Sequence, residues 1–184
     1  MAEALVILAD GFEETEALVP VDLLRRAGVG VTVAALKEDT KVVTSSHRVA
    51  VVCDKTLQEA AQGAYDAVVL PGGMPGATNL AASSLVEQVI MKVHKAGKLV
   101  CAICASPAVV LAPLGLVQGR KAVCYPGFEK QWPEVGFGLD HVVKDGNLIT
   151  ARGAGCAFEF GLTIVGALTS KDMAAKLSQA TVYC

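Results

Sequence analysis

The sequence predicts an α/β fold, in which a mainly parallel sheet carries helices on both of its faces. Three observations support this fold class. Short apolar segments of strand length alternate with segments of helical periodicity. The chain has 184 residues, of which 53% are hydrophobic, so it is long enough to bury a substantial core. It contains no linker-like segment and no internal repeat. We therefore expect one domain over residues 1–184, with right-handed crossovers between parallel strands.

The first half of the chain predicts a strand, a helix and a second strand, in that order. Residues 4–9 form an apolar run of strand length, and residues 13–27 show helical periodicity with acidic residues in the first turn. Gly28 is a helix stop signal, and residues 29–36 form the second strand. The alternating segment 49–53 then predicts a short antiparallel excursion from the main sheet.

The second half continues the alternation. Residues 67–70 form a third strand, and the next helix begins at Ser84, which stands three residues before Glu87 in a capping-box pattern, and ends at Gly97. Later segments predict further elements: a strand at 98–103, another at 121–124, a hairpin turn at 145–147 and a helix at 155–168.

Cys104 is the candidate nucleophile, because it stands where a buried strand turns into a helix. Pro107 suits the first turn of that helix. Unpaired N–H groups and the helix dipole at such a position favour a thiolate and predict a lowered pKa for Cys104. We interpret Cys53, Cys101 and Cys156 as packing residues.

Three further candidate residues follow neighbouring strands at the same edge of the sheet. Glu16 shares a helical stripe with apolar residues, so its carboxyl is predicted to be desolvated and to carry a proton near neutral pH, whereas Glu13 and Glu14 are expected to face solvent. Gly72 and Gly73 end the third strand. They form either a tight turn or a backbone cradle for an oxyanion.

Composition excludes several classes of function. A net charge of −2 and a pI near 5.9 give no electrostatic basis for binding nucleic acid or an anionic membrane. Residues 99–117 carry no charge, but their prolines argue against a membrane span. The first residues lack the basic region of a secretory leader, so we expect a cytoplasmic protein whose six cysteines are reduced.

No metal or nucleotide cofactor is expected. Cys101 and Cys104 have the spacing of a metal or redox pair, but Cys101 lies inside a predicted buried strand and no second ligand pair accompanies it. The glycines after the third strand do not form a phosphate-binding motif.

Four motifs in register resemble the ThiJ/PfpI superfamily, and more narrowly its parkinsonism-associated deglycase (DJ) branch: ALVILADGFEETE at 4–16, VLPGG at 69–73, AICA at 102–105 and ARGAG at 151–155. The resemblance covers nearly the whole chain. It implies a flavodoxin-like fold, a homodimer, a reactive Cys104 and Glu16 as its carboxyl partner. It also implies oxyanion donors at Gly73 and Ala105.

The resemblance further implies that Arg48 and Arg152 lie near the mouth of the pocket. Two positions depart from the family pattern. Ala105 stands where the protease-like branch has a histidine, which argues against peptidase activity, and Tyr125 stands where many members of the DJ branch have a histidine. Tyr125 is therefore a candidate hydrogen-bond donor, and any proton transfer rests on Glu16. The three histidines are interpreted as structural or surface residues, and they are His47, His94 and His141.

The leading hypothesis is a glutathione-independent enzyme that acts on reactive dicarbonyls. It would convert methylglyoxal or glyoxal to lactate or glycolate through a hemithioacetal on Cys104, or act as a deglycase on early methylglyoxal adducts. The first alternative is an oxidative-stress sensor or redox-controlled chaperone that works through oxidation of Cys104. The second alternative is a cysteine peptidase, which the missing histidine disfavours.

Overall fold

The centre of the molecule is a seven-stranded, mainly parallel sheet. A computed structural model describes residues 1–183. The strands are β1 (Glu3–Leu8), β2 (Gly30–Ala35), β3 (Val42–Thr44), β4 (Ala50–Val52), β5 (Lys55–Thr56), β6 (Ala67–Leu70), β7 (Leu99–Ile103), β8 (Val142–Asp145) and β9 (Leu148–Ala151). The order across the sheet is β5-β2-β1-β6-β7-β9-β8, and only β8 runs antiparallel to its neighbour. The predicted fold class is confirmed.

Helices cover both faces of this sheet. They are α1 (Glu14–Arg26), α2 (Leu57–Ala60), α3 (Gly76–Ala81), α4 (Ser84–Lys95), α5 (Ala157–Leu168) and α6 (Lys171–Ala180). Alternate residues of β1 enter two separate hydrophobic clusters, with Val6 packed on the side of α1 and α5 and Ile7 on the side of α4. Because both faces are buried, β1 is apolar along almost its whole length instead of alternating with polar residues.

The predicted antiparallel excursion is the hairpin of β3 and β4, which pair with each other outside the main sheet. Backbone hydrogen bonds join it to the loop after β1. Gly11 donates to the Thr44 carbonyl at 2.8 Å, and Ser46 donates to the Phe12 carbonyl at 2.8 Å. The hairpin therefore lies beside the N-terminus of α1, which carries Glu16.

Two local predictions are wrong. Residues 121–124 form no strand: β9 already has β7 on one side and β8 on the other, so β9 offers no free edge, and the Val123 N–H donates to the Thr150 hydroxyl instead. The N-cap of α4 is Ser83, whose hydroxyl accepts from the Val86 N–H, so the capping box predicted at Ser84 does not form.

Some of the other elements follow the predictions closely, and others were not predicted. The hairpin of β8 and β9 turns at residues 145–147 as predicted, and α5 follows a short 3₁₀ turn at Ala154–Cys156. Helices α2, α3 and α6 were not predicted, although a capping box of Thr56 and Glu59 begins α2 and the Ser170 side chain caps α6. No helix among residues 1–183 is both long enough and apolar enough to span a membrane.

Candidate active site

Cys104 lies on a sharp turn immediately after the buried strand β7. Its φ is 64°, in the left-handed region that side chains other than glycine rarely adopt and that costs about 1–3 kcal/mol. Backbone hydrogen bonds hold the turn on both sides. The Cys104 N–H donates to the Ala151 carbonyl at 2.9 Å, and its carbonyl accepts from the Tyr125 N–H at 2.8 Å. The side chain is half-buried, as the predicted strand-to-helix corner requires.

The element after Cys104 begins at Pro107 as predicted, but it has π-helical geometry over Pro107–Leu111. The Ala112 N–H donates to the Pro107 carbonyl, five residues back, at 3.0 Å. Cys104 is three residues before this short element, so it is not itself the first residue of a regular α-helix.

Glu16 is the carboxyl partner of Cys104, and Glu16 is only 1% exposed. The side chain hydrogen-bonds with Cys104, and Oε2 accepts from the Gly72 N–H at 2.8 Å. Burial raises the pKa of Glu16 to about 7, against the lowering effect of the bonds from Cys104 and Gly72. The predicted desolvation of Glu16 is thus present in the structure, and its carboxyl changes charge near neutral pH.

The prediction that Glu13 and Glu14 face solvent is wrong. Glu13 is the N-cap of α1, and its carboxylate accepts from the Glu16 N–H at 2.7 Å. Glu14 lies 3.0 Å from the His47 ring, from Oε1 to Nδ1, on the neighbouring hairpin. Both carboxylates are half-buried because the turn between β3 and β4 packs against the start of α1.

Gly72 allows the cysteine and the carboxyl to approach each other. A Cβ at Gly72 would lie 2.6 Å from the Cys104 Cβ and 2.7 Å from Glu16 Oε2, so no larger residue fits without displacing one of them. Its N–H is already bonded to Glu16 and is not available to an oxyanion. The other predicted glycine donor, Gly73, directs its N–H at the sulfur. The N–H of Ala105 does the same.

The pKa of Cys104 is raised, which is opposite to the predicted direction. Burial comes first among the causes and the Glu16 carboxylate second, and together they raise the pKa of Cys104 to about 12 although the Gly73 and Ala105 N–H groups favour the thiolate. The helix-dipole effect is weak because a regular helix does not begin at Cys104. Cys104 and Glu16 interact strongly and therefore titrate as a pair. When Glu16 is charged, the cysteine is a thiol hydrogen-bonded to a base.

The three outer candidates occupy different places. Tyr125 is 47% exposed, and its ring lies over Gly153, where a Cβ would come within 3.3 Å of it. Arg152 lines a small pocket of about 160 Å³ and donates to the Leu139 carbonyl at 3.2 Å. Arg48 is exposed on the turn between β3 and β4, with a φ of 68°. Of these three residues, Tyr125 is the one whose backbone N–H donates a hydrogen bond to the Cys104 carbonyl.

The histidines are bound elsewhere. His47 pairs with Glu14, His94 lies 3.4 Å from the Asn147 side-chain nitrogen, and His141 lies 3.6 Å from Glu159. Glu16 is therefore the side chain best placed to move a proton at the sulfur.

A single group of side chains has metal-ligand spacing among residues 1–183. Glu13, Glu14 and His47 place ligand atoms within 4.8 Å of one another. Both carboxylates are already engaged, Glu13 with the Glu16 N–H and Glu14 with His47, and we assign no metal to this group.

The replacement Gly72→Ala is expected to disrupt the site directly. The added methyl overlaps Cys104 Cβ and Glu16 Oε2, so we expect a destabilisation of about 1–3 kcal/mol and a loss of at least about tenfold in the dicarbonyl turnover that the sequence predicts. Urea unfolding and initial rates measure the two effects. Gly155→Ala is the matched control, because a Cβ there meets nothing within 4 Å. Equal behaviour of the two variants would contradict the close approach at Gly72.

Comparison with known proteins identifies the family of this chain. The family model described as DJ-1/PfpI matches residues 2–167. The chain belongs to the DJ-1/PfpI family. Within it, a Danio rerio relative named Parkinson disease protein 7 homolog is 43% identical over 178 residues, which are 95% of this chain and 93% of that protein.

Further members of the DJ-1/PfpI family extend the comparison. The chain is 41% identical to Protein DJ-1 homolog B of Arabidopsis thaliana over 98% of its own length, but it spans only 41% of that protein. A Caenorhabditis elegans member named glutathione-independent glyoxalase DJR-1.2 is 34% identical over 92% of this chain and 90% of that protein. The solved structure of oxidised Toxoplasma gondii DJ-1 has a TM-score of 0.95 and 39% identity, and covers 99% of this chain and 98% of that one. The family and the flavodoxin-like fold of DJ-1 are therefore confirmed.

Proposed function

We propose that this protein is a glutathione-independent enzyme that converts reactive dicarbonyls such as methylglyoxal and glyoxal to lactate and glycolate. The observation that carries the proposal is the buried Glu16 carboxyl, with a pKa of about 7, in contact with the half-buried Cys104 sulfur. A base that titrates near the working pH is matched to proton transfer. The name of the Caenorhabditis elegans relative, glutathione-independent glyoxalase DJR-1.2, supports the same activity.

The first chemical step is the addition of Cys104 to the aldehyde carbon of the dicarbonyl. Because the pKa of Cys104 is raised, Glu16 acts as general base and takes the thiol proton while the sulfur–carbon bond forms. The Gly73 and Ala105 N–H groups, which point at the sulfur, stabilise the negative charge that develops on the aldehyde oxygen. Glu16 then returns the proton to this oxygen, and the product is a hemithioacetal.

The second step is an internal oxidation and reduction of this adduct. Glu16, again a carboxylate, removes the proton from the former aldehyde carbon and delivers it to the neighbouring carbonyl carbon, with the oxygen protons redistributed. The aldehyde carbon is oxidised to a thioester while the ketone is reduced to an alcohol, so no external oxidant or reductant is consumed. Water then hydrolyses the thioester, releases lactate and restores the Cys104 thiol.

The outer candidates have supporting roles in this proposal. Tyr125 is held beside the Cys104 turn by its backbone bond to the Cys104 carbonyl and is 47% exposed, so its hydroxyl would donate a hydrogen bond to a bound carbonyl. Arg48 lies on the turn between β3 and β4, which bonds to Phe12 before α1, and Arg152 follows Ala151, whose carbonyl accepts from the Cys104 N–H. Their positive charges would attract the carboxylate product or an anionic substrate.

The experiment that tests the function identifies the product. Purified, reduced protein is incubated with methylglyoxal without glutathione, and lactate is measured by NMR and by enantiomer-specific assays. We expect lactate in one enantiomeric form, because Glu16 delivers the proton from one fixed side of the adduct. Folded, reduced protein that produces no lactate would overturn the proposal, and racemic lactate would overturn the delivery of the proton by Glu16.

An oxidative sensor that works through Cys104 is the second candidate. A protonated Glu16 can donate a hydrogen bond to a sulfinate on Cys104, and the pKa of about 7 makes the protonated form available. The raised pKa of Cys104 disfavours this role, because peroxide reacts with the thiolate. Dicarbonyl turnover is therefore the first choice. The cysteine peptidase stays last, because Ala105 follows Cys104 and the histidines are bound elsewhere.

The homodimer and the cytoplasmic location stay predictions. Exposed apolar side chains on α1 and on the hairpin of β3 and β4 are compatible with a second copy packing there, and they include Leu18, Val42, Val49 and Val52.

A further inference from the structure

Ser106 is a fully buried polar residue that the sequence did not single out. It lies two residues after Cys104, and its relative exposure is 0%. A serine just before a helical segment commonly caps it, but the Ser106 side chain makes no such bond to Pro107–Leu111. Its hydroxyl instead donates to the Pro71 carbonyl, 35 residues away in the chain, at 2.6 Å.

The carbonyl that Ser106 binds belongs to the loop that organises the candidate active site. The next residue, Gly72, donates its N–H to Glu16 at 2.8 Å and accepts from the Glu13 N–H at 2.9 Å. Gly73 then directs its N–H at the Cys104 sulfur. The loop after β6 thus contacts both groups of the proposed proton-transfer pair.

The contacts form a closed ring. The chain runs from Cys104 to Ser106, the Ser106 hydroxyl binds Pro71, the loop continues to Gly72, and the Gly72 N–H binds Glu16, which hydrogen-bonds with Cys104. Backbone links and three hydrogen bonds make up the whole ring, and the bonds at Pro71 and Gly72 measure 2.6 and 2.8 Å. The pairing of β6 with β7 ends at Leu70 and Ala102, and beyond it the Ser106 bond links the turn at Cys104 to the loop at Gly72.

We propose that Ser106 is a positioning residue, whose hydroxyl holds the loop of residues 71–73 against the Cys104 turn and thereby sets the geometry of the Cys104 and Glu16 pair. This inference rests on the proposed role of that pair. Ser106 touches neither the sulfur nor the carboxyl in the ring of contacts, and it acts through Pro71 and Gly72.

Loss of the hydroxyl has a directional consequence. In Ser106→Ala the Pro71 carbonyl is left buried without its donor, and the loop relaxes to regain a partner. Relaxation lengthens the bond from the Gly72 N–H to Glu16, which stabilises the charged carboxylate. The carboxyl should then lose its proton at higher pH, and the cysteine should have less of its base at neutral pH.

The experiment measures the alkylation of Cys104 by iodoacetamide between pH 5 and pH 10, followed by mass spectrometry of the peptide that contains it. For Ser106→Ala we expect the inflection near pH 7 to move up by about half to one pH unit, with a rate at pH 7 about two- to fivefold lower than that of the wild type. Ser106→Gly, a second way to remove the hydroxyl, should show the same shift. Ser106→Thr, which retains the hydroxyl, should keep the inflection of the wild type.

Thr56→Ala is the matched control. It also removes the hydrogen bond of a buried hydroxyl, the N-cap bond to the Glu59 N–H, but Thr56 lies on β5 at the far edge of the sheet. It should lower the urea midpoint without moving the alkylation profile.

An unchanged profile in the two variants without the hydroxyl, with stability lowered as in Thr56→Ala, would overturn the positioning role and leave Ser106 as a structural residue. Because alkylation needs no dicarbonyl, this outcome is distinct from a failure of the proposed function, which the lactate assay reports.

Discussion

Replacement of Cys104 by alanine is expected to lower the rate of methylglyoxal conversion at least about a thousandfold, because the proposed reaction proceeds through a bond to its sulfur. Removal of the nucleophile leaves Glu16 and the Gly73 amide in place, but neither can form the hemithioacetal. The measurement is the initial rate of methylglyoxal loss together with lactate formation. Mass spectrometry of the intact protein should detect a substrate adduct on the wild type and none on Cys104→Ala.

The matched control is Cys156→Ala. Cys156 is the other cysteine among residues 1–183 that is only partly buried, and it lies in the short 3₁₀ turn before α5. Its replacement should leave the rate within about twofold of the wild type, since surface-near substitutions away from a site change little. Lactate formation that survives in Cys104→Ala and disappears in Cys156→Ala would show that the nucleophile is wrongly assigned.

Glu16→Gln is expected to have the second largest effect, a loss of about 10²- to 10⁴-fold in turnover. Glutamine keeps the size of the side chain and an oxygen that can accept from the Gly72 N–H, but it cannot take or return a proton. The rate of the wild type should rise with pH through about 7 as Glu16 becomes a carboxylate, and the residual rate of the variant should lack this inflection. Asp22→Asn, an exposed carboxyl-to-amide change on the same helix, is the control.

The stability of Glu16→Gln separates a chemical effect from unfolding. The pKa of Glu16 is raised in the folded protein, so between about pH 4.5 and 7 the folded state holds a proton that the unfolded state has lost. Glu16 therefore lowers the stability of the wild type as pH rises through this window, by about 3 kcal/mol in full. Urea unfolding at pH 5 and pH 8 should show this loss in the wild type and a smaller one in Glu16→Gln. An inactive variant that is also unfolded at pH 8 would not support the proton-transfer role.

The order of the main elements could be predicted because their signals are local. The strand at residues 67–70 coincides with β6, since an apolar run of strand length is bounded by Pro71 and two glycines. The segment 121–124 has a similar apolar character but forms no strand. Whether this segment forms a strand depends on whether β9 has a free edge, and that depends on where β8 pairs. Strand identity at a sheet edge is thus a property of the topology rather than of the segment.

By itself, the sequence determined the fold class, the turn that presents Cys104 and the burial of Glu16, because these depend on periodicity and on residue types at short spacing. Only the tertiary structure decided the pKa of Cys104 and the hydrogen-bond partner of the Gly72 N–H. The raised pKa of Cys104 arises from burial and from a carboxylate that lies 88 positions earlier in the chain, and the N–H of Gly72 is used by Glu16 instead of by an oxyanion. Ser106 was missed for the same reason, since its partner Pro71 lies in another loop. Desolvation and hydrogen bonding act between groups that are close in space, and separation along the chain gives no measure of that distance.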